Sequence, residues 1–403
     1  MKNSILFIIL SFSLLSCQHK GDSTKNSTIE TIPVFSNYTA ELPFSAFVDT
    51  IELIPLETTE DNLIGEITRV IFNDGKYYIR STNGMQNPKL FVFNENGKYI
   101  QKISKQGVGP GEYLDFEDFT IANDNHIVIG DYQRLLHFDL QGQFLHAKKI
   151  ETPPTEGNFS PVEILPTRNN EYLTFLSFPK KHLLLRINNE GKQDFFFDPG
   201  KNGALKCQFL RTWRALFSTD SCFYLSYPYC DTIYSISSDL SKITPSYYID
   251  YAPKKLPDIP VDPKDDCLSW EKKLSHLDDY LKTSSIGAGD DFLYIGITDK
   301  AYKGYLSLYS KRSKKIMTAK RLVDDMYLKG NVITVTGKRI PHNMDGNDII
   351  WEISPRILMK GYQRLSAADR ETLQQKYPAW DQICSSLKED DNPVLFRIKV
   401  KDF

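Results

Sequence analysis

The sequence predicts an all-β fold: a six-bladed β-propeller of four-stranded antiparallel blades, with two short helical insertions. Three observations predict it. From residue 47 almost to the end, short alternating apolar–polar runs are separated by Asp-Gly, Asn-Gly and similar turns, the strongest short-range hairpin signal. One phrase recurs at Phe93-Asn94-x-x-Gly97-Lys98, Phe138-Asp139-x-x-Gly142-Gln143 and Ile187-Asn188-x-x-Gly191-Lys192, marking the hairpin between the third and fourth strands of a unit. Aromatic residues make up 12 % of the chain, with 22 Tyr and 24 Phe, and such side chains pack well on pleated surfaces.

The N-terminus reads as a processing signal and is set apart from the fold. Lys2 supplies the positive start, and the apolar run from Ile5 to Leu15 is too short to span a bilayer. Leu14-Leu15-Ser16-Cys17 resembles the lipobox of bacterial lipoproteins, which implies a signal peptide over residues 1–16 and a lipidated Cys17. The alternative is an ordinary signal peptide with a chance cysteine. Acyl chains on Cys17 would hold the protein at a membrane without a spanning helix. Gln18 stands where an inner-membrane retention signal has Asp, so the expected location is the cell envelope at the outer membrane, on a face left open. Residues 17–45 are polar and read as a flexible tether, leaving 46–403 for the propeller.

The net charge of −2 offers no basic footprint for nucleic acid. Beyond Cys17 the cysteines are Cys207, Cys222, Cys230, Cys267 and Cys384. An oxidising envelope permits a disulfide within the group Cys207, Cys222 and Cys230, and small buried thiols are the alternative. No C-x-x-C spacing supports a structural zinc.

The units follow in order. Blade 1 is ITRVIFN, YYIRS, KLFVFN and YIQKIS; blade 2 is DFTIAN, HIVIGD, LLHFDL and FLHAKKI; blade 3 is PVEILPT, YLTFLSF, HLLLRIN and QDFFFD. Blade 4 is CQFLRTWRALF, CFYLSYP, TIYSIS and ITPSYYIDY, and blade 5 is SSIGAG, FLYIGIT, YLSLYS and KIMTAKRL. The last set is DDMYLKG, VITVTG, DIIWEIS and VLFRIKV. A ring must close, so the early strand at 50–57 is expected to pair with the late strand at 394–400 in one blade. A β-sandwich or two β-domains is the competing architecture, and four-strand periodicity argues against it. Residues 262–282 and 366–388 carry apolar residues at helical spacing and are expected to be helices packed on the propeller.

Gly107-Val108-Gly109-Pro110-Gly111 invites a phosphate-loop reading, but a phosphate loop opens a helix. Here Glu112, Asp115, Glu117 and Asp118 follow in a strand-like pattern, and their charge would repel an anion. Gly107, Gly109, Pro110 and Gly111 are instead read as the crossover from the outer strand of blade 1 to the inner strand of blade 2. Glycine permits a tight path there, and Pro110 holds Gly109 extended.

That crossover, together with Leu53-Ile54-Pro55-Leu56-Glu57-Thr58, Tyr229-x-Asp231-Thr232-Ile233-Tyr234 and Leu387-Lys388-Glu389-Asp390-Asp391-Asn392-Pro393-Val394, resembles the Bacteroidetes-type six-bladed β-propeller lipoproteins, which are similar to NHL-repeat propellers. The resemblance covers residues 47–400. It implies an envelope lipoprotein with a six-bladed propeller, and it carries no catalytic residues. Blade 3 departs from it, lacking a Gly-Pro-Gly crossover.

His126, His137 and His146 fall on successive strands of one blade, at different radii, so they cannot meet on the axis as ligands. His182 lies in the next blade. No G-x-S-x-G or H-E-x-x-H signature appears, and the acidic loop at 258–266 lacks EF-hand spacing. No metal site, cofactor or catalytic residue is therefore assigned. Propellers work at one mouth of the central channel, so residues placed just after or at the top of inner strands are the ligand-binding candidates: Arg80, Asp131, Arg134, Arg214, Tyr227 and Asp231. The expected function is a binding or scaffold propeller for a peptide, glycan or partner protein, with a metal-dependent hydrolase or lyase in the central channel as the alternative.

Overall fold

The computed structural model describes residues 29–84, 86–114, 116–156, 159–177, 180–200, 214–227, 229–257, 259, 267–301, 303–334 and 343–403. The signal peptide, Cys17 and Cys207 lie outside the described residues. The chain enters through β1 (Glu30–Pro33) and β2 (Tyr38–Pro43), then runs into β3 (Val48–Pro55). Blade 1 follows as β4 (Glu66–Asn73), β5 (Lys76–Asn83), β6 (Gln86–Asn94) and β7 (Tyr99–Ile103). Blade 2 is β8 (Asp118–Ile121), β9 (Ile127–Asp131), β10 (Arg134–Phe138) and β11 (Phe144–Lys149). Blade 3 is β12 (Ser160–Pro166), β13 (Tyr172–Ser177), β14 (Leu184–Ile187) and β15 (Gln193–Phe196). Blade 4 is β16 (Leu216–Ser218), β17 (Cys222–Leu225), β18 (Thr232–Ser237) and β19 (Ile243–Asp250). After helix α1 (Cys267–Ser275), blade 5 is β20 (Leu281–Ala288), β21 (Phe292–Asp299), β22 (Gly304–Ser310) and β23 (Ile316–Asp324), with β24 (Asn331–Thr334) hairpinned onto β23. Blade 6 is β25 (Asn343–Asp345), β26 (Asp348–Ile353), β27 (Val394–Val400) and the early strand β3.

The fold is the six-bladed propeller expected. First strands β4, β8, β12, β16, β20 and β25 each touch the next around the axis, and β25 returns to β4. Apolar layers fill the spaces between blades; Tyr78, Val92, Phe116, Phe119 and Ile129, all buried, join blades 1 and 2. Antiparallel alternation places second-to-third-strand turns and blade-to-blade crossovers on one end, here the crossover face. First-to-second and third-to-fourth turns lie on the other, the hairpin face.

The recurring phrase has a common mechanism. Asn94 Oδ1 accepts from the backbone N–H of Asn96 and Lys98, at 3.0 and 2.9 Å. Asp139 does the same for Gln141 and Gln143, and Asn188 for Glu190 and Lys192. Each turn then needs a left-handed residue, and Gly97, Gly142 and Gly191 supply φ of 76°, 78° and 84°.

Ring closure occurs as expected, with Leu395 opposite Ile54 and Ile398 opposite Ile51. A side chain locks the seam. Asn392 Nδ2 donates to the carbonyls of Glu57 and Asn62 at 2.8 and 3.1 Å. Its Oδ1 accepts from Ile64 N at 2.9 Å, and its own N–H donates to Thr58 Oγ1 at 2.8 Å. The two stretches Leu56-Glu57-Thr58 and Asp391-Asn392-Pro393 thus meet through one buried amide.

Four elements differ from expectation. Residues 30–43 are not tether: β1 lies parallel on β19, with Thr31 opposite Tyr248, and β2 lies parallel on β23, with Thr39 opposite Ala319. They satisfy the outer edges of blades 4 and 5, and each is too short to show an alternating pattern, with Ile32 and Leu42 as its one buried residue. The helix expected at 262–282 is only Cys267–Ser275 among the described residues, because Leu281 already belongs to the inner strand of blade 5. The insertion expected at 366–388 is larger, comprising α2 (Pro355–Gln363), α3 (Ala367–Lys376) and α4 (Pro378–Ser386). Its Ser366 cap accepts from Asp369 N at 3.1 Å, and Trp380 stacks on Tyr327 at 4.0 Å and donates to Ile51 O at 3.0 Å. Finally, DDMYLKG is a turn. The Asp324 carboxylate accepts from the N–H groups of Met326, Tyr327 and Leu328, so β24 folds back on blade 5 and β25 starts blade 6.

Asn392→Ala is expected to destabilise the fold by about 2–4 kcal/mol, since it strands several buried backbone groups at the seam. Urea unfolding checks it, and a loss under about 0.5 kcal/mol would mean the strand pairing closes the ring unaided.

Candidate functional site

The axis is occupied by charge. Arg69 on β4 and Asp118 on β8 are both buried, and Arg69 Nε lies 3.3 Å from Asp118 Oδ1. Asp118 Oδ2 accepts from Ile164 N on β12 at 2.9 Å. Glu163, beside it on β12, accepts from Ala215 N and Leu216 N of blade 4 at 2.6 and 2.8 Å. The backbone at Arg214 then pairs with that of Ser285 on β20. Each step links one inner strand to the next. Local bulges at Ile67/Arg69, Pro161/Glu163 and Thr283/Ser285 offset these strands, the usual means of re-aiming a side chain. Burial pushes the Glu163 carboxyl up to about 8 and raises that of Asp118, against the pull of their amide donors. The sequence reading missed this set. Its signal was a charged residue inside three successive inner-strand runs: ITRVIFN, DFTIAN and PVEILPT.

The six residues expected to bind ligand lie towards the crossover face, but only Arg214 borders an inner strand. Arg80 is on β5, Asp131 ends β9, Arg134 starts β10, and Tyr227 and Asp231 lie between β17 and β18. Chain reversal brings the ends of second strands to the same mouth, which is why a reading by inner strands misplaced them. Their contacts bind blades together. Arg80 Nε donates to Phe116 O at 2.8 Å and its Nη1 to Thr68 Oγ1 at 2.5 Å. Asp131, fully buried, accepts from Leu114 N at 3.1 Å and pairs with Arg134, which also donates to Glu112 O at 3.3 Å. Arg214 sits over the Phe217 ring at 5.0 Å. Tyr227 is buried between Phe197 and Tyr234, and burial raises its hydroxyl pKa. Asp231 faces Lys255 Nζ at 3.6 Å. Of the six, Asp131 and Arg134 meet directly.

The glycine knot is packed as a joint. Glu112 Oε2 accepts from Gly109 N at 2.9 Å, occupying an amide that a phosphate would need. A Cβ on Gly111, at φ 74°, would sit 2.6 Å from Phe144 Cβ. Around this joint three large apolar side chains face water: Val108 is 75 % exposed, Leu114 48 % and Tyr132 50 %. Tyr132 holds φ 45°, a left-handed conformation uncommon for a bulky side chain, between Asp131 and the start of β10.

On the hairpin face two cavities open, of about 330 and 220 Å³. The smaller lies among the first turns of blades 2, 3 and 4, with Asn123, Thr167 and Asp220 in its wall. The larger lies on blade 4.

The histidines of blade 2 do not reach the axis but do meet one another. Asp124 Oδ1 is 2.5 Å from His126 Nδ1, which fixes that proton, so His126 Nε2 accepts from His137 Nδ1 at 2.8 Å. The Tyr172 hydroxyl of blade 3 is also 3.2 Å from His126 Nε2, and His146 stacks on His137 at 4.1 Å. His182 pairs with Glu156 at 2.9 Å. Among the described residues, no group of three His, Cys, Asp or Glu is placed to hold a metal ion, and Cys222, Cys230 and Cys384 are free thiols.

Burial, then the neighbouring His146, His126 and Lys148, push His137 from 6.5 down to about 3. The neutral ring's contribution is complete above the unfolded value and is lost as pH falls from 6.5 towards 3. Between pH 7 and 5 this is worth about 2 kcal/mol. His137→Phe is expected to remove that part of the pH dependence in urea unfolding at the two pH values; an unchanged slope would assign acid sensitivity elsewhere.

The fold matches a crystal structure of a Bacteroides fragilis protein described as exported, with TM-score 0.66 and 15 % identity over 93 % of this chain and 100 % of that one. An extracellular domain of a one-component system from B. thetaiotaomicron matches with TM-score 0.40 and 14 % identity, over 74 % of this chain and 33 % of that one. Apo AztD from Citrobacter koseri matches with TM-score 0.28 and 10 % identity over 62 % of each chain. No curated protein matches the chain. At these identities the likeness concerns the fold. Residues 29–399 match the family described as a domain of unknown function, DUF4934, and the chain belongs to that family.

Proposed function

We propose that this protein is a binding propeller of the cell envelope, held by lipid on Cys17 and engaging a partner protein or peptide through its crossover face. The carrying observation is the apolar group Val108, Leu114 and Tyr132 around the joint of blades 1 and 2. Single exposed apolar residues are ordinary; three on two loops tied by the bond from Leu114 N to Asp131 form a patch of the kind that marks partner contact. Tyr132 adds a rigid aromatic held outward by its left-handed backbone, the side-chain type enriched at interface centres. Beneath it, Arg134 and Asp131 brace the crossover to the blade, so the patch is preorganised.

Envelope anchoring rests on the run Leu14-Leu15-Ser16-Cys17 and on the resemblance to propeller lipoproteins. Binding is favoured over a channel enzyme because the axial carboxylates Asp118 and Glu163 already accept backbone N–H groups from neighbouring inner strands.

A photo-reactive amino acid at position 132 is expected to give a discrete cross-linked adduct in intact cells, with none from a control at Glu190 on the hairpin face. Equal labelling at both positions, or none, overturns the crossover-face reading. Cys17→Ala is expected to move the protein from the membrane to the soluble envelope fraction; unchanged membrane association would reject lipidation at that residue.

A further inference from the structure

In a propeller, neighbouring blade faces close on one another through apolar side chains. Third strands of this chain follow that rule: Leu90 and Val92 on β6, Leu184 and Leu185 on β14, and Leu395 and Phe396 on β27 are all buried. Strand β18, TIYSIS, does not. Only Ile233 and Ile236 are buried, and Ser235 and Ser237 are half-exposed. Register places Tyr224, Ser235 and Thr244 in one row across the blade, with Cys222 and Ser237 in the next. This is the face that blade 4 turns to blade 5. Near the axis it is closed by Phe217 against Tyr294, and further out Tyr247 meets Tyr309 at 6.2 Å. Between these contacts the hydroxyls of Ser235, Ser237, Thr244 and Ser246 line the 330 Å³ cavity, with the rings of Tyr224 and Tyr247.

We propose that this cleft binds a single neutral sugar ring. The volume is at the lower end of small-molecule sites, which run from about 300 Å³ upward. Ser235 and Ser246 use their protons on each other, at 2.6 Å, and on Thr244 O, and Ser237 donates to Asp239 at 2.5 Å, so these hydroxyls keep acceptor lone pairs. Such an array matches a ligand that carries hydroxyls able to donate to it. The two tyrosine rings, centroids 6.3 Å apart and tilted by 44°, give apolar surface for the C–H face of the ring.

An anionic ligand fits less well. Lys311 is committed to Gly289 O at 2.6 Å and lies over the Tyr224 ring at 4.9 Å. Lys242 is the cation in the wall itself, and it is exposed. The cleft opens on the hairpin face and is independent of the crossover-face reading above.

Cys222 provides the probe, being a free, half-buried thiol in the cavity wall. The experiment measures iodoacetamide modification of Cys222 by peptide mass spectrometry, with methyl β-D-glucoside, N-acetylglucosamine or glucuronate present. A bound sugar slows the reaction by the factor 1 + [L]/Kd, so at ten times Kd the expected slowing is about tenfold. At least one neutral sugar should protect Cys222, glucuronate should protect less, and buried Cys384 should report no change. Thr244→Val, nearly isosteric, should weaken protection by severalfold, and the Ser235→Leu/Ser246→Leu double variant, with its melting temperature checked, should abolish it. The proposal is overturned if no probe slows Cys222, if glucuronate protects as well as the neutral sugars, or if protection survives in a folded Thr244→Val protein.

Discussion

Everything in this molecule depends on the pairing of β3 with β27. A blade is a sheet with two faces to bury and an outer edge of unpaired amides. Neighbours bury the faces only if the ring is complete, so the sixth blade must borrow its outer strand from the start of the chain. Asn392 turns that pairing into a latch because it bonds to the chain on both sides of residues 57–64. The same N-terminal segment goes further than closure requires. Before reaching blade 6 it adds strands to blades 4 and 5, so with β3 it covers the outer edges of three of the six blades.

The axis shows what a closed ring makes of its centre. Small propellers leave a channel; here Arg69, Asp118 and Glu163 fill part of it and reach across from blade to blade. Buried charges contribute little net stability unless each is matched, and their firmest use is in fixing register. Three inner strands aligned by charge cannot slide along one another without unpairing a carboxylate. The centre is thereby committed to holding blades in phase, and recognition moves outward to the two faces and the rim.

Much of this was legible in the residues. The Asn and Asp turns with glycine three positions on marked the third-to-fourth-strand hairpins of blades 1 to 3, because their chemistry is local. The Gly-Pro joint was readable as a crossover for the same reason: charge after the glycines rules out an anion loop. What was not legible depends on partners far away in sequence. ETIP and YTAELP show no alternation, since an added edge strand needs only one buried side chain to dock. Helix α2 hid behind Pro355, which reads as a strand terminator and is in fact a first-turn helix residue. Arg80 and Asp131 were placed at a channel mouth by their position in the chain; what could not be read are their distant partners, the carbonyl of Phe116 and the amide of Leu114.

The belt of early strands also sets a timetable. Thr31, Thr39 and Leu53 wait for Tyr248, Ala319 and Phe396, so these early strands find their places only after distant segments are made. Residues bonded across the seam are 334 positions apart in sequence, and closing a loop of that size costs on the order of 5 kcal/mol in chain entropy. Topologies dominated by such distant contacts fold slowly. Blades 1 to 3 can assemble from neighbouring segments alone. Blades 4 and 5 stay open-edged until β1 and β2 reach them, and blade 6 stays incomplete until β27 pairs with β3.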